Sequence, residues 1–133
     1  MSIVYINCKR YPFIDWILTR SKLYETRNRN TLGRFLGQRI LLAKTGHGKP
    51  VIRASAVIAE VIEVFTEDAW LPYIMDSCIS NGSEYDWQPD TKKKVLYRLT
   101  DVHQVEPFPV PDTAVRHGRT WCEYTGMVKE RSV

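Results

Sequence analysis

The chain is poor in the features that mark several protein classes. It has three cysteines, Cys8, Cys78 and Cys122, an odd number with no C-x-x-C pair. That excludes a disulfide framework and favours reduced thiols. The three histidines, His47, His103 and His117, are far apart, and no cysteine stands at zinc-ligand spacing. No metal site and no cofactor are expected. No apolar run approaches the roughly 20 residues that span a bilayer. The start, Met1 to Ile6, is too short for the apolar core of a signal peptide, and Asn7, Cys8, Lys9 and Arg10 follow it. A cytoplasmic protein without a membrane partner is expected. Repeats and low-complexity segments are lacking too.

What is present fits one small domain. The 133 residues are 44% hydrophobic, enough for one core. A net charge of +4 and a pI near 9.0 permit nucleic-acid binding without demanding it. We expect a single domain over residues 1–126 and a frayed tail over 127–133.

Ile3 to Ile6 is β-branched and aromatic and reads as a first strand. Pro12 suits the first turn of a helix, whose apolar face is Phe13, Ile14, Trp16, Ile17 and Leu18. Lys22 to Arg27 reads as a second strand. Leu32 to Leu36 forms a short helical turn, and Gly37 turns the chain into a strand over Gln38 to Lys44. Val51 to Val64 is Val/Ile-rich and reads as a long central strand, with a helix as the competing reading because of Ala54, Ala56 and Ala59.

Thr66 caps a second helix, whose buried side would be Trp70, Leu71, Ile74, Met75 and Cys78. Lys92-Lys93-Lys94 reads as a solvated charge run at a sheet edge. Val95 to Leu99 alternates as a strand. Glu106 to Pro111 reads as an extended connector, because its prolines cannot serve a central strand. The segment from His117 to Tyr124 gives a turn and a last strand. The fold class is α+β, a mostly antiparallel β-barrel with two main flanking helices.

The segment Lys22-Leu23-Tyr24-Glu25-Thr26-Arg27 carries the sharpest functional signal. Residues two apart on a strand share a face, so Glu25 and Arg27 point the same way. A carboxylate between two cations stays ionised and holds them toward a polar or anionic ligand. The plain alternative is a surface strand with an ordinary ion pair.

Several features in order resemble an ASCH domain of the PUA-like superfamily: Pro12-Phe13, Trp16-Ile17-Leu18, Lys22-x-x-Glu25-x-Arg27, Gly37 to Leu42, and Ala54 to Val64. The resemblance covers roughly residues 1–110. It implies a small barrel with a cleft beside the K-x-x-E-x-R segment, and an RNA or modified-nucleoside ligand. In small ASCH enzymes that deacetylate N4-acetylcytidine the segment is Lys-x-x-Thr-x-Arg, and the Lys and Thr are catalytic. Here Lys22 and Arg27 match, and Glu25 takes the place of the nucleophilic Thr. The resemblance therefore implies a binding cleft before a catalytic one.

Other side chains are candidates for the same cleft. Tyr11 opens the first helix, Lys44 and His47 follow a strand expected beside the second, and Trp121 lies on the last strand beside Arg119. Aromatic faces stack unpaired bases and cations contact phosphate. Trp16 and Trp70 read as core. Cys122, near His117, reads as a small buried hydrophobe rather than a nucleophile. The expected function is an RNA- or modified-nucleoside-binding module. The alternative is a hydrolase of an acylated nucleoside or RNA using Lys22 and Glu25. A protein-interaction adaptor is a third class, which no long helix or tail favours.

Overall fold

The computed structural model describes the backbone of residues 1–112, 114–117, 120–126, 128, 130 and 131, and the side chains of these except 115–117 and 131. The strands are β1 (Ser2–Asn7), β2 (Tyr24–Arg27), β3 (Arg39–Thr45), β4 (Val51–Val64), β5 (Lys94–Pro109), β6 (Val115–His117), β7 (Trp121–Glu123) and β8 (Glu130–Arg131). The helices are α1 (Phe13–Leu18), α2 (Glu67–Trp70) and α3 (Ile74–Ser77). The strands form one sheet in the order β2-β5-β4-β3-β1-β7-β6, with β8 also on β5. Among the described strands β1 and β3 pair in parallel and the other pairs are antiparallel. The class is α+β, as expected.

The sheet curls because its two long strands are bulged. β4 and β5 slip register between Ile52 and Ala54, between Ser55 and Val57, and between Ile58 and Glu60. Each bulge bends the pair and adds twist. Ile52 consequently packs with one core and Ala54, Ala56 and Ile58 with another.

β1 and β3 are buried on both faces. Val4, Ile6, Ile40 and Leu42 face the main core with Phe13, Ile14 and Ile17 of α1. Ile3, Tyr5, Leu41 and Ala43 face a second cluster with Val105 and Cys122. Two-sided burial is why both strands read as continuous apolar runs. Gly37 makes the expected turn, at φ +79°, and donates to the Ile58 carbonyl at 2.7 Å.

Val51 to Val64 is one strand, so the helical alternative fails there. Other readings shift. The second helical segment is broken into α2, a 3₁₀ turn over Leu71–Tyr73, and α3, which ends at Cys78 with φ +54°. Pro72 lies in the 3₁₀ turn and rotates the faces. Trp70 is buried, but Leu71 and Met75 are 53% and 87% exposed. The proline-rich segment belongs to β5, where Phe108 and Pro109 pair with Ile52 and Val51 of β4. The second neighbours of β5 are β2, over Val95 to Arg98, and β8, at Gln104 and Val105. The prolines thus fall beyond both, where a missing N–H costs no ladder bond. Glu130–Arg131 of the tail forms β8.

Lys94 is the largest departure. It is 3% exposed, donates to Asn28 Oδ1 and the Tyr85 carbonyl, both at 2.9 Å, and lies 5.5 Å from the Trp70 ring centroid. Asp86 sits beside it. The Asp86 carboxylate accepts from Trp70 Nε1 at 2.7 Å, Gly82 N at 2.8 Å and Trp87 N at 2.7 Å. Burial pushes its pKa up, but these donors and Lys94 together outweigh burial and hold it below the ordinary 3.8. Among the described residues no helix is long and apolar enough to cross a membrane.

Asp86→Ala leaves three donors, one a buried indole N–H, without their acceptor. It should cost on the order of 3 kcal/mol in urea denaturation. A folded pKa below the unfolded one places the Asp86 contribution above pH 3.8, and it is lost as pH falls through the folded value. The stability difference between wild type and Asp86→Ala should therefore shrink in acid. An unchanged difference at low pH would refute this assignment.

Candidate functional site

The chain leaves α1 through a tight reversal. Arg20 adopts φ +64°, unusual for a side-chain-bearing residue, and its Nη2 donates to the Leu99 carbonyl at 2.9 Å. Lys22 N then returns to the Trp16 carbonyl at 2.9 Å. This fold-back sends the Lys22 side chain inward. It is fully buried, with Nζ 4.5 Å from the Phe13 ring centroid and 2.5 Å from the Ser77 carbonyl.

β2 follows, paired to β5 with Glu25 opposite Tyr97. Glu25 and Arg27 share a face of this strand. Glu25 Oε1 lies 3.9 Å from Lys22 Nζ and accepts from Thr26 N at 3.2 Å. Glu25 Oε2 accepts from Arg27 Nη2 at 3.1 Å. The same Nη2 donates to the Tyr5 carbonyl of β1 at 2.9 Å. β2 and β1 are not neighbours in the sheet, so Arg27 bridges the mouth of the curl.

A cleft of about 300 Å³ occupies that mouth. β1 contributes Tyr5, Ile6 and Asn7, β2 contributes Glu25, Thr26 and Arg27, and β3 contributes Thr45. Lys22, Phe13, Ile79 and Tyr85 complete the wall. The volume lies at the small end of ligand pockets.

Burial lowers the Lys22 pKa from its ordinary 10.5, and Glu25 opposes that shift. The nearby thiols of Cys8 and Cys78 are both raised by burial, the second against the pull of Lys22. Neither is poised as a thiolate. Tyr85 is raised as well, by burial and then by Glu84 and Glu25. Among the described residues no group of His, Cys, Asp and Glu is arranged to hold a metal ion.

The cleft brings together Lys22, Glu25 and Arg27. The other candidates lie elsewhere. Tyr11 stands behind the wall, with its ring 5.6 Å from Phe13 and 5.9 Å from Tyr85. Lys44 is half-buried on β3 next to Thr45 and does not line the cleft. His47 is exposed, and its Nε2 meets the Cys8 carbonyl at 3.0 Å. Trp121 is buried against Phe35 at 5.0 Å, with the Arg34 guanidinium 5.2 Å from its ring centroid. Arg119 falls outside the described residues. Phe13, which reads as core in the sequence, lines the cleft together with Tyr85, and Ser77 supplies the carbonyl that holds Lys22.

No family model matches the chain, and no curated protein matches it in sequence. Solved structures do match. The structure of ASCH from Zymomonas mobilis superposes with a TM-score of 0.68 at 20% identity, covering 82% of this chain and 73% of that one. A serine-to-alanine and a tyrosine-to-phenylalanine mutant of the Zymomonas protein match with the same TM-score and identity. The chain has an ASCH-domain fold. At this identity the likeness speaks to fold, and it agrees with the sequence resemblance. The curled sheet of the ASCH fold here opens at the Lys22–Glu25–Arg27 cluster.

Glu25 is 7% exposed, so its carboxylate is a structural counter-charge as well as a cleft group. Glu25→Gln leaves Lys22 buried without its anion and should destabilise the protein by about 3 kcal/mol or more. Adding Lys22→Met should recover much of that loss, because the orphaned ammonium is then gone. Urea melts of the single and double variants check this. Additive losses would show that the two groups do not neutralise each other.

Proposed function

We propose that the cleft binds one nucleobase, presented by a modified nucleoside or by an unpaired nucleotide of RNA. The observation that carries this reading is a single small cleft that joins ring surfaces to a fixed charged cluster. Phe13 and Tyr85 supply apolar faces and edges. A base needs such surface for stacking and needs donors and acceptors at its rim. Arg27 supplies a planar fork of donors, and its side chain remains 21% exposed at the cleft. Glu25 supplies the acceptor beside it, already oriented by Thr26 N and Arg27. The basic charge of the chain suits a phosphate-bearing ligand.

The hydrolase reading is weaker. Glu25 stands where the related deacetylases place a nucleophilic hydroxyl. Thr26 lines the cleft, but the Lys22 ammonium is committed to the Ser77 carbonyl and Glu25.

Calorimetric titration with cytidine, N4-acetylcytidine and short single-stranded RNA tests the proposal. Binding should weaken roughly tenfold in Arg27→Ala, the loss of one charge-assisted bond. RNA binding should weaken as salt rises. Incubation with N4-acetylcytidine should release little or no cytidine by chromatography. Absence of binding to every probe at low salt would overturn the reading. Turnover that vanishes in Lys22→Ala would replace it with the hydrolase.

A further inference from the structure

A second polar groove begins where the cleft ends. Arg27 lines the cleft, and Asn28, the next residue, lines the groove. Successive Cα atoms are about 3.8 Å apart, so the two sites meet along the chain at the Arg27–Asn28 peptide. The groove has a volume of about 410 Å³. Asn28 and Arg29 form one side of it, and Gln88, Asp90, Lys92 and Lys93 the other.

Its charge is unbalanced toward cations. Lys93 is paired with Glu63 at 3.1 Å. Asp90 is the one carboxylate in the lining. Arg29 and Lys92 are exposed and have no ion-pair partner among the described residues. Buried Lys94 ties groove to cleft: it grips Asn28 Oδ1 of the groove and the carbonyl of Tyr85, a cleft residue, each at 2.9 Å. Thr91 Oγ1 accepts from Gln88 N at 2.8 Å and tightens the turn that carries Lys92. Two unpaired cations on a preformed polar groove suit an anion with several acceptor oxygens.

We propose that this groove binds the phosphate adjoining the base in the cleft, making a second subsite for one nucleotide-bearing ligand. The inference rests on the base-binding reading of the cleft. Arg29 and Lys92 are its contact residues, and Asn28 is the hinge between the two subsites. The phosphate belongs either to a free nucleotide or to an RNA strand, and the chemistry is shared.

The test uses the full chain and titrates cytidine, its 5′ and 3′ monophosphates, and a labelled single-stranded RNA oligomer. The variant is Arg29→Ala with Lys92→Ala, both exposed and outside the core. Wild type should bind at least one monophosphate or the oligomer more tightly than cytidine. A gain already complete with a monophosphate identifies a free nucleotide. A gain seen only with the oligomer identifies the strand.

The double variant should lose that gain, on the order of tenfold, and keep its affinity for cytidine. Its plot of log affinity against log salt for the oligomer should be shallower by about 1.4, two single-strand contacts of roughly 0.7 each. Arg29→Lys with Lys92→Arg should retain binding. Equal affinities and salt slopes for wild type and the alanine variant would overturn the groove assignment, as would phosphate probes that bind no better than cytidine. If cytidine does not bind but oligomer affinity depends on Arg29 and Lys92, the base-binding reading falls and the phosphate groove stands.

Discussion

The fold hinges on a gap that the backbone does not close. β1 and β2 face each other across the mouth of the curl with three other strands between them in the sheet order. What spans the mouth is Arg27 Nη2, bonded to Glu25 on its own strand and to the Tyr5 carbonyl across it. Buried charge is costly unless paired and hydrogen-bonded. Lys22, Glu25 and Arg27 therefore stand or fall as a unit. Their demand for partners also ties in the α1-to-β2 reversal, the end of α3 through the Ser77 carbonyl, and β1 through the Tyr5 carbonyl. The cleft is the space those constraints leave.

A second buried cation organises the opposite wall. Lys94 and Asp86 bind the segment over residues 80–91 to β5 and to Trp70 of α2. This segment has no regular secondary structure of its own, so polar bonds must do what a helix or strand ladder does elsewhere. Its order places Tyr85 in the cleft. Because Lys94 also grips Asn28, the ring wall of the cleft and the end of β2 are positioned by one ammonium group.

Most of the sheet was legible because its signals are local. The Val/Ile-rich run from Val51 to Val64, the φ > 0 turn at Gly37, and the shared face of Glu25 and Arg27 follow from period and residue type. The errors share a different cause. Lys94 closes a lysine triplet and reads as solvated, and only the approach of Trp70 and Asp86 makes it interior. Pro72 breaks the second helix despite the apolar spacing around it. Pro107 and Pro109 are tolerated in β5 because β2 and β8 stop short of them. Tyr11, Lys44, His47 and Trp121 were grouped by neighbouring strands, but side-chain direction and core packing send Trp121 to Phe35 and His47 to the Cys8 carbonyl.

The distribution of cations separates organisation from recognition. Lys22 and Lys94 are buried, and both ammonium groups bond to oxygens of the protein itself. A ligand entering the cleft meets two cations that share the Glu25 carboxylate, with part of Arg27 still exposed. That favours a neutral, flat group with a polar rim over a free anion in the cleft itself. Past Asn28 an anion meets Arg29 and Lys92, exposed cations with no ion-pair partner among the described residues. A base next to a phosphate matches that order along the chain. Neither half of the surface alone distinguishes a nucleotide from any other small polar ligand, so the proposed specificity rests on the adjacency of cleft and groove.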